Sequence, residues 1–203
     1  DSREDSINSV LKIAKRSTAR IQRLINSLLD INRLESGKTI GIQQVVQIPG
    51  MLDEVMDAVL PMMEVRRQTI TTDLQPDLPP VWIDVDMIRR VLVNLIENAS
   101  KFTPPEAKLA VGANQEGDWA RIWVQDSGPG IPLADQDRIF EKYTRLKGEH
   151  SSSGLGVGLA FCKLAVLAHG GRIWVESEPG KGACFYVTLP LAKEQPQTDV
   201  KEI

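Results

Sequence analysis

Residues 5 to about 36 carry neither proline nor glycine. Their apolar positions recur at alternating steps of three and four: Ile7, Val10, Leu11, Ala14, Thr18, Ile21, Leu24, Ile25, Leu28 and Ile31. That spacing predicts one long helix with a single apolar stripe, the seam of a coiled coil or bundle, and Arg and Lys on its other face. Gly37 stands where a C-cap ends such a helix. A lone stripe cannot bury itself, and nothing else before Gly41 supplies a cover. The seam therefore requires a second copy of the chain or a helix from elsewhere.

Beyond Gly41 the elements shorten. Strand patterns are expected at 42–48, 69–74 and 81–83, with helices at 49–67 (Leu52, Val55, Met56, Val59 and Leu60 inward) and 86–101. Residues 108–113 and 120–125 read as a hairpin across Glu116-Gly117-Asp118. A Gly- and Ser-rich stretch precedes a helix at 159–168, ended by Gly170-Gly171, and a last hairpin pairs 172–177 with 183–189. Short strands joined by tight turns and interspersed with helices define an α+β fold, with helices on one face of a mostly antiparallel sheet. The implied organisation is a helix over 1–38, a domain over 39–191 and a polar tail over 192–203.

A net charge of −3 gives no electrostatic case for nucleic-acid binding. No apolar run reaches the roughly 20 residues of a membrane helix. Cys162 and Cys184 have no metal-site spacing with each other or with His150 and His169, and are expected to be buried free thiols in a reducing, cytoplasmic setting. The four tryptophans, Trp82, Trp119, Trp123 and Trp174, lie in separate extended segments and are expected to pack in the core or at sheet edges. Met51, Met56, Met62 and Met63 are expected to fill gaps.

Three constellations carry chemistry. In Asn94-Leu95-Ile96-Glu97-Asn98-Ala99-Ser100-Lys101, helical spacing puts Asn94, Asn98 and Lys101 in one row, with Ile88, Leu92, Leu95 and Ala99 roughly opposite. Two amides and an ammonium suit a magnesium–phosphate group, although a solvated helix face gives the same pattern. Asp126-Ser127-Gly128-Pro129-Gly130 follows a strand; it is either an ordinary turn or a carboxylate held where an exocyclic amine can donate to it. Gly154-Leu155-Gly156-Val157-Gly158-Leu159 opens a helix whose free N–H groups favour anions, without the context of a Rossmann fingerprint or the ending of a P-loop.

In this order the three resemble the N, G1 and G2 boxes of the histidine-kinase catalytic domain, a member of the GHKL ATPase superfamily that includes DNA gyrase. Asp84 matches the acidic residue before the N-box helix, and 139–145 resembles the F box. The resemblance implies a Bergerat fold, a two-layer α/β sandwich with a mixed, mostly antiparallel sheet, preceded by the second helix of the dimerisation hairpin. It implies ATP and Mg²⁺ as cofactors, with Asn98 as metal ligand. Asn94, Lys101 and Arg145 would act on the phosphates, and Asp126 would bind the adenine amine. Gly128, Gly130, Gly154, Gly156, Gly158 and Leu159 would shape the nucleotide pocket, under a mobile lid at about 132–153. The implied partners are a second copy and a response-regulator receiver domain, with no nucleic acid and no membrane segment in this chain.

No His-Glu acceptor box is present. His150 and His169 read as ordinary surface or capping residues, so the chain is expected not to phosphorylate itself. Lys142 replaces a frequent proline of the F box, Thr144 a common aromatic or basic residue, and 103–106 lacks a usual glycine pair. Two alternatives are a GHKL ATPase of the gyrase or chaperone kind, and a nucleotide-binding pseudokinase or interaction module. The former usually carries a water-activating glutamate where Asn94 stands.

Overall fold

The computed structural model describes residues 11, 18, 22, 25, 28–36, 40–144 and 156–192. Residues 28–35 are helical, as are the isolated described positions 11, 18, 22 and 25. There follow β1 (Gln44–Val46), α1 (Ile48–Val65), β2 (Thr69–Leu74), β3 (Val81–Ile83) and α2 (Val85–Phe102). The second half holds β4 (Lys108–Glu116), β5 (Trp119–Asp126), 3-10 turns at Leu133–Asp135 and Arg138–Phe140, α3 (Gly158–Ala168), β6 (Arg172–Ser177) and β7 (Ala183–Pro190).

Five strands form the main sheet in the order β2-β4-β5-β7-β6. The β4–β5 and β6–β7 pairs are antiparallel hairpins, and β5 pairs β7 antiparallel. Only β2 runs parallel to its neighbour, with Thr69 opposite Lys108 and Leu74 opposite Ala113. The chain between β2 and β4 contains β3 and α2, the long crossover that parallel pairing requires. β3 leaves the main sheet to pair antiparallel with β1. Period-2 alternation sorts the faces: Ala120, Ile122, Val124 and Asp126 of β5 are buried, as are Ala183, Phe185, Val187 and Leu189 of β7. Asp126 is thus the last inward position of a central strand, on the helix side of the sheet.

The helices cover that face. α2 presents Ile88, Val91, Leu92, Leu95, Ile96 and Ala99, all at most 1% exposed. Its first turn is capped by Asp84, whose Oδ1 accepts the Met87 N–H at 3.0 Å. α1 buries Ile48, Met51, Leu52, Val55, Val59 and Met63. Leu60, expected inward, is 51% exposed: the stripe follows 48, 52, 55, 59 and 63, about 100° away around the helix. Among the α1 methionines, Met51 and Met63 are buried and Met56 and Met62 pack partly against the core, as gap-filling requires.

Three further expectations change. Ile31, placed in the intermolecular seam, is 1% exposed and joins this chain's own core, with Leu28 and Leu34 packed beside it. Asp30 pairs with Arg90 of α2 at 2.5 Å, and Glu35 pairs with Lys142. Leu11 and Ile25, from the same stripe, are exposed. No tryptophan enters the core: Trp82 and Trp119 are 38% and 37% exposed, Trp123 is half-buried on the helix-free face, and Trp174, on that same face, packs on the outermost strand β6, the sheet-edge half of the expectation. Strand register sets Trp123, Tyr186 and Trp174 side by side, so segments separate in sequence form one aromatic row. Cys162 is buried, whereas Cys184 lies on that outer face, half-buried.

Gln68, which the sequence reading passed over, holds the end of α2. Its Nε2 lies 3.0, 3.1 and 2.9 Å from the carbonyls of Ser100, Thr103 and Pro104, and its Oε1 accepts from Ser100 Oγ at 2.5 Å. Helix-terminal carbonyls have no partner within the helix, so this buried amide replaces one. The loop that lacks a glycine pair makes its turn with Glu106, in the left-handed region at φ 65°. Gln68→Leu takes this partner from the buried Ser100 carbonyl and hydroxyl, while the Thr103 carbonyl keeps the Arg66 guanidinium at 2.9 Å; it is expected to destabilise the domain by about 1–3 kcal/mol, read as a lower urea midpoint.

Candidate functional site

The buried stripe of α2 fixes where its opposite side lies, and Asn94, Asn98 and Lys101 fall there, all half-buried. Each end of this row meets one glycine-bearing turn. At the Lys101 end, a Cβ on Gly128 would lie 3.0 Å from the Phe102 carbonyl oxygen and 2.8 Å from Asp126 Oδ1. At the other end, a Cβ on Gly158 would lie 3.6 Å from Asn94 Oδ1. Residues 94 and 102 are separated by about 12 Å of helical rise. α2 therefore bridges the Asp126 turn and the start of α3, and the structure brings the three sequence motifs together.

Asp126 is 7% exposed and accepts the Gly128 N–H at 2.7 Å. Burial raises its carboxyl pKa above the usual value, opposed by the backbone N–H groups of Gly128 and Ala183. The turn is clamped from behind by the β6–β7 turn. A Cβ on Gly182 would lie 2.1 Å from the Asp126 carbonyl oxygen, and one on Gly130 (φ 75°) 2.1 Å from that of Glu178. The Gly180 N–H donates to the Pro129 carbonyl at 2.7 Å. Ser177 Oγ accepts from the Ile131 N–H at 2.8 Å and donates to the Gly182 carbonyl at 2.6 Å. Gly130 is thus required by packing against the hairpin. Ser177 and Gly182 were missed because their signal, a Pro-Gly-Lys-Gly turn, names a hairpin and not what it touches.

The start of α3 differs from that of α2. Its N-cap is Val157, which offers no side-chain acceptor, and its first turn holds no acidic residue. The leading N–H groups are therefore not satisfied by a capping side chain, the condition under which a helix start receives an anion. Gly156, at φ 68°, accepts the Tyr143 N–H at 2.8 Å, tying the end of the F-box-like segment to the helix start. Leu159 is half-buried and packs on the core. Arg145 and Gly154, with His150 and the second part of the expected lid, 145–153, lie outside the described residues. The part of that lid which is described is not detached: Ile139 and Phe140 are 7% exposed, and Phe140 meets Phe185 edge-on with ring centroids 6.3 Å apart.

His169 is not a surface residue. It is 4% exposed; its Nε2 accepts the Asp84 N–H at 3.0 Å and its Nδ1 faces the Ala165 carbonyl at 2.7 Å. The proton therefore sits on Nδ1, and the ring couples the end of α3 to the cap of α2. Burial lowers its pKa below the usual 6.5. The unfolded chain thus takes up a proton that the folded one refuses. The associated stability is present above pH 6.5 and lost as pH falls through the folded value. Asp126, raised from 3.8, acts oppositely, its contribution being lost as pH rises through its own folded value. Urea midpoints are expected to fall as pH drops below 6.5, and His169→Gln to flatten that slope.

Nucleotide and metal fit this arrangement by their chemistry. A buried acceptor, an amide–ammonium row and an uncapped helix start suit a purine amine at one end and phosphates at the other. Among the described residues no three His, Cys, Asp or Glu side chains group as a metal site. The Asn98 amide oxygen is a donor of the kind that suits a hard ion keeping most of its waters.

Residues 83–193 match the family described as histidine kinase-, DNA gyrase B- and HSP90-like ATPases, and the chain belongs to it. The mixed, mostly antiparallel sheet with helices on one face is its Bergerat fold. Within that family the similarity is to sensor histidine kinases. The adaptive-response sensory kinase SasA of Thermosynechococcus vestitus is 37% identical over 188 residues, covering 92% of this chain and 50% of the relative. The chain spans about half the length of the curated relatives it matches. Full-length ShkA, in a crystal structure with AMPPNP, superposes with a TM-score of 0.78 at 29% identity over 93% of this chain and 40% of that one. The catalytic domain of histidine kinase ThkA gives 0.66 at 25% identity, covering 73% and 95%.

Proposed function

We propose that this chain is the catalytic part of a two-component sensor kinase. It holds Mg²⁺-ATP along α2 and presents the terminal phosphoryl group to a histidine on a helix of the dimerisation hairpin, for relay to a response-regulator aspartate. The observation that carries this reading is the buried Asp126 carboxylate at one end of the Asn94–Asn98–Lys101 row, with an uncapped helix start at the other.

Each residue then has one task. Asp126 accepts from the adenine amine, and Gly128 lets the base approach the strand end. Asn98 ligates the metal, Asn94 supports the same region, and Lys101 and Arg145 neutralise phosphate. Gly154, Gly156, Gly158 and Leu159 open the helix start to the phosphate oxygens. A bound magnesium ion supplies charge compensation between phosphates. The protein's contribution is position and electrostatics, which is most of what phosphoryl transfer asks of an enzyme.

The acceptor belongs to another helix. His169 is excluded because burial and two hydrogen bonds occupy its ring. Residues 1–38 serve as one hairpin helix, with exposed Leu11 and Ile25 facing a second copy, 39–191 form the nucleotide domain, and 192–203 a tail. The protein works in the cytoplasm, where ATP and regulators are. An ATP-hydrolysing clamp is disfavoured because Asn94 cannot activate water.

Titration with a fluorescent ATP analogue tests the core of this. Affinity is expected to rise with Mg²⁺, and Asn98→Ala to abolish that rise while leaving metal-free binding nearly unchanged. Equal affinity with and without the metal would overturn the reading. With radiolabelled ATP, acid-labile phosphate is expected on an added acceptor helix and not on this chain alone.

A further inference from the structure

The face of the sheet that carries no helix is not an ordinary solvated surface. Register aligns Trp123, Tyr186 and Trp174 across three strands. Trp174 and Tyr186 stack with centroids 5.1 Å apart and planes 14° from parallel, and the Arg121 guanidinium lies 5.8 Å from the Tyr186 centroid. Trp123 lies over Gly112, where a Cβ would come within 2.1 Å of its ring. These contacts set the platform before any partner arrives.

Beside it a groove of about 660 Å³ runs around the start of β6, lined by Trp119, Trp174, Leu167, Arg121, Lys163 and Arg172. A volume of that order lies within the range of clefts that hold ligands. None of its lining residues belongs to the proposed nucleotide site.

Charge and backbone define what the groove suits. The chain carries a net −3, yet the groove gathers three cations against one carboxylate, Glu116, which pairs with Arg121 at 3.4 Å. Lys163 and Arg172 have no ion-pair partner among the described residues. β6 is also the outermost strand of the sheet, so one of its edges carries no neighbouring strand among the described residues. Unpaired strand edges recruit extended chain, and pockets beside the edge then select alternate side chains. Aromatic and arginine side chains on a rigid platform are the residues that most often dominate such contacts.

We propose that this groove docks an extended, acidic polypeptide segment of a partner protein. The segment adds to the β6 edge, with its carboxylates on Lys163 and Arg172 and its apolar side chains against Trp174 and Leu167. A polypeptide is favoured over nucleic acid or an anionic membrane because apolar walls alternate with the cations and the strand edge offers backbone hydrogen bonds.

The test uses fluorescence anisotropy on the whole chain with a labelled Val-Glu-Val-Glu-Val-Glu-Val peptide and its Val-Lys counterpart. The acidic peptide is expected to bind at least tenfold more tightly than the basic one. Lys163→Glu combined with Arg172→Glu should reverse that preference. Both side chains are exposed, and an unchanged ATP-analogue titration on the same variant reports an intact domain and keeps this question separate from the nucleotide reading. Equal affinity for the two peptides, or a preference the charge reversal leaves in place, overturns the proposal. So does displacement of the peptide by a single-stranded oligonucleotide or phosphatidylserine vesicles at lower concentration than by unlabelled peptide.

Discussion

Asp126→Asn is expected to weaken binding of an ATP analogue by about 10- to 100-fold, the span of a charge-assisted hydrogen bond worth about 1.5–3 kcal/mol. The amide can still accept the Gly128 N–H through its oxygen, so the turn keeps its internal bond. Its NH₂ then faces the amine that the carboxylate would have received, donor against donor. Stability should move the other way or not at all. Burial holds the carboxyl pKa above its usual value, which means that the folded state disfavours the charge at neutral pH. A neutral isostere removes that penalty. Calorimetric titration read beside a thermal melt separates the two effects. Lost affinity with an unchanged or raised midpoint supports Asp126 as a ligand contact; a lowered midpoint with unchanged affinity would make it structural.

The largest stability effect is expected at Phe161. It is the bulkiest of the fully buried side chains, 0% exposed on α3, and the Arg90 guanidinium sits 4.5 Å from its ring centroid. Phe161→Ala opens a cavity and should cost about 3–5 kcal/mol. Whole domains hold about 5–15 kcal/mol, so the variant should be partly unfolded near physiological temperature. Arg90 also pairs with Asp30, so losing the ring loosens the seat of the N-terminal helical segment. A double-mutant cycle checks this second consequence: Asp30→Asn should cost less in the Phe161→Ala background than in the original chain. Additive effects would show that ring and ion pair act independently.

What the sequence disclosed followed from short-range physics. The i, i+4, i+7 row of α2 is a matter of helical pitch, and it placed Asn94, Asn98 and Lys101 opposite the buried stripe before any contact was known. The strand pattern over 120–125 put Asp126 at a strand end; that it is the last inward position of β5 emerged only with the structure, which carries the strand one residue further. What stayed hidden depends on which strands become neighbours. Nothing local in Trp123 or Trp174 says that Tyr186 will lie between them; that follows from β7 pairing with both β5 and β6. Gln68 was illegible for a related reason, since its three carbonyl partners lie more than thirty residues away at the end of α2. Ile31 was misassigned because a stripe records that a face must be covered, not by what. His169 caps the end of α3 as its helix-end position suggested, but its burial stayed hidden because that position says nothing of the Asp84 N–H above it.

Because the carboxylate proposed to read the ligand stands on a central strand and not on a loop, occupancy there would not be a local affair. Releasing a molecule held there by unfolding would mean dismantling the middle of the sheet, so bound and empty forms should melt as single transitions. By mass action, a ligand at a hundred times its dissociation constant would add about 2.7 kcal/mol to the whole domain. Thermal shift then becomes a direct gauge of cleft occupancy, usable even where no phosphate is transferred.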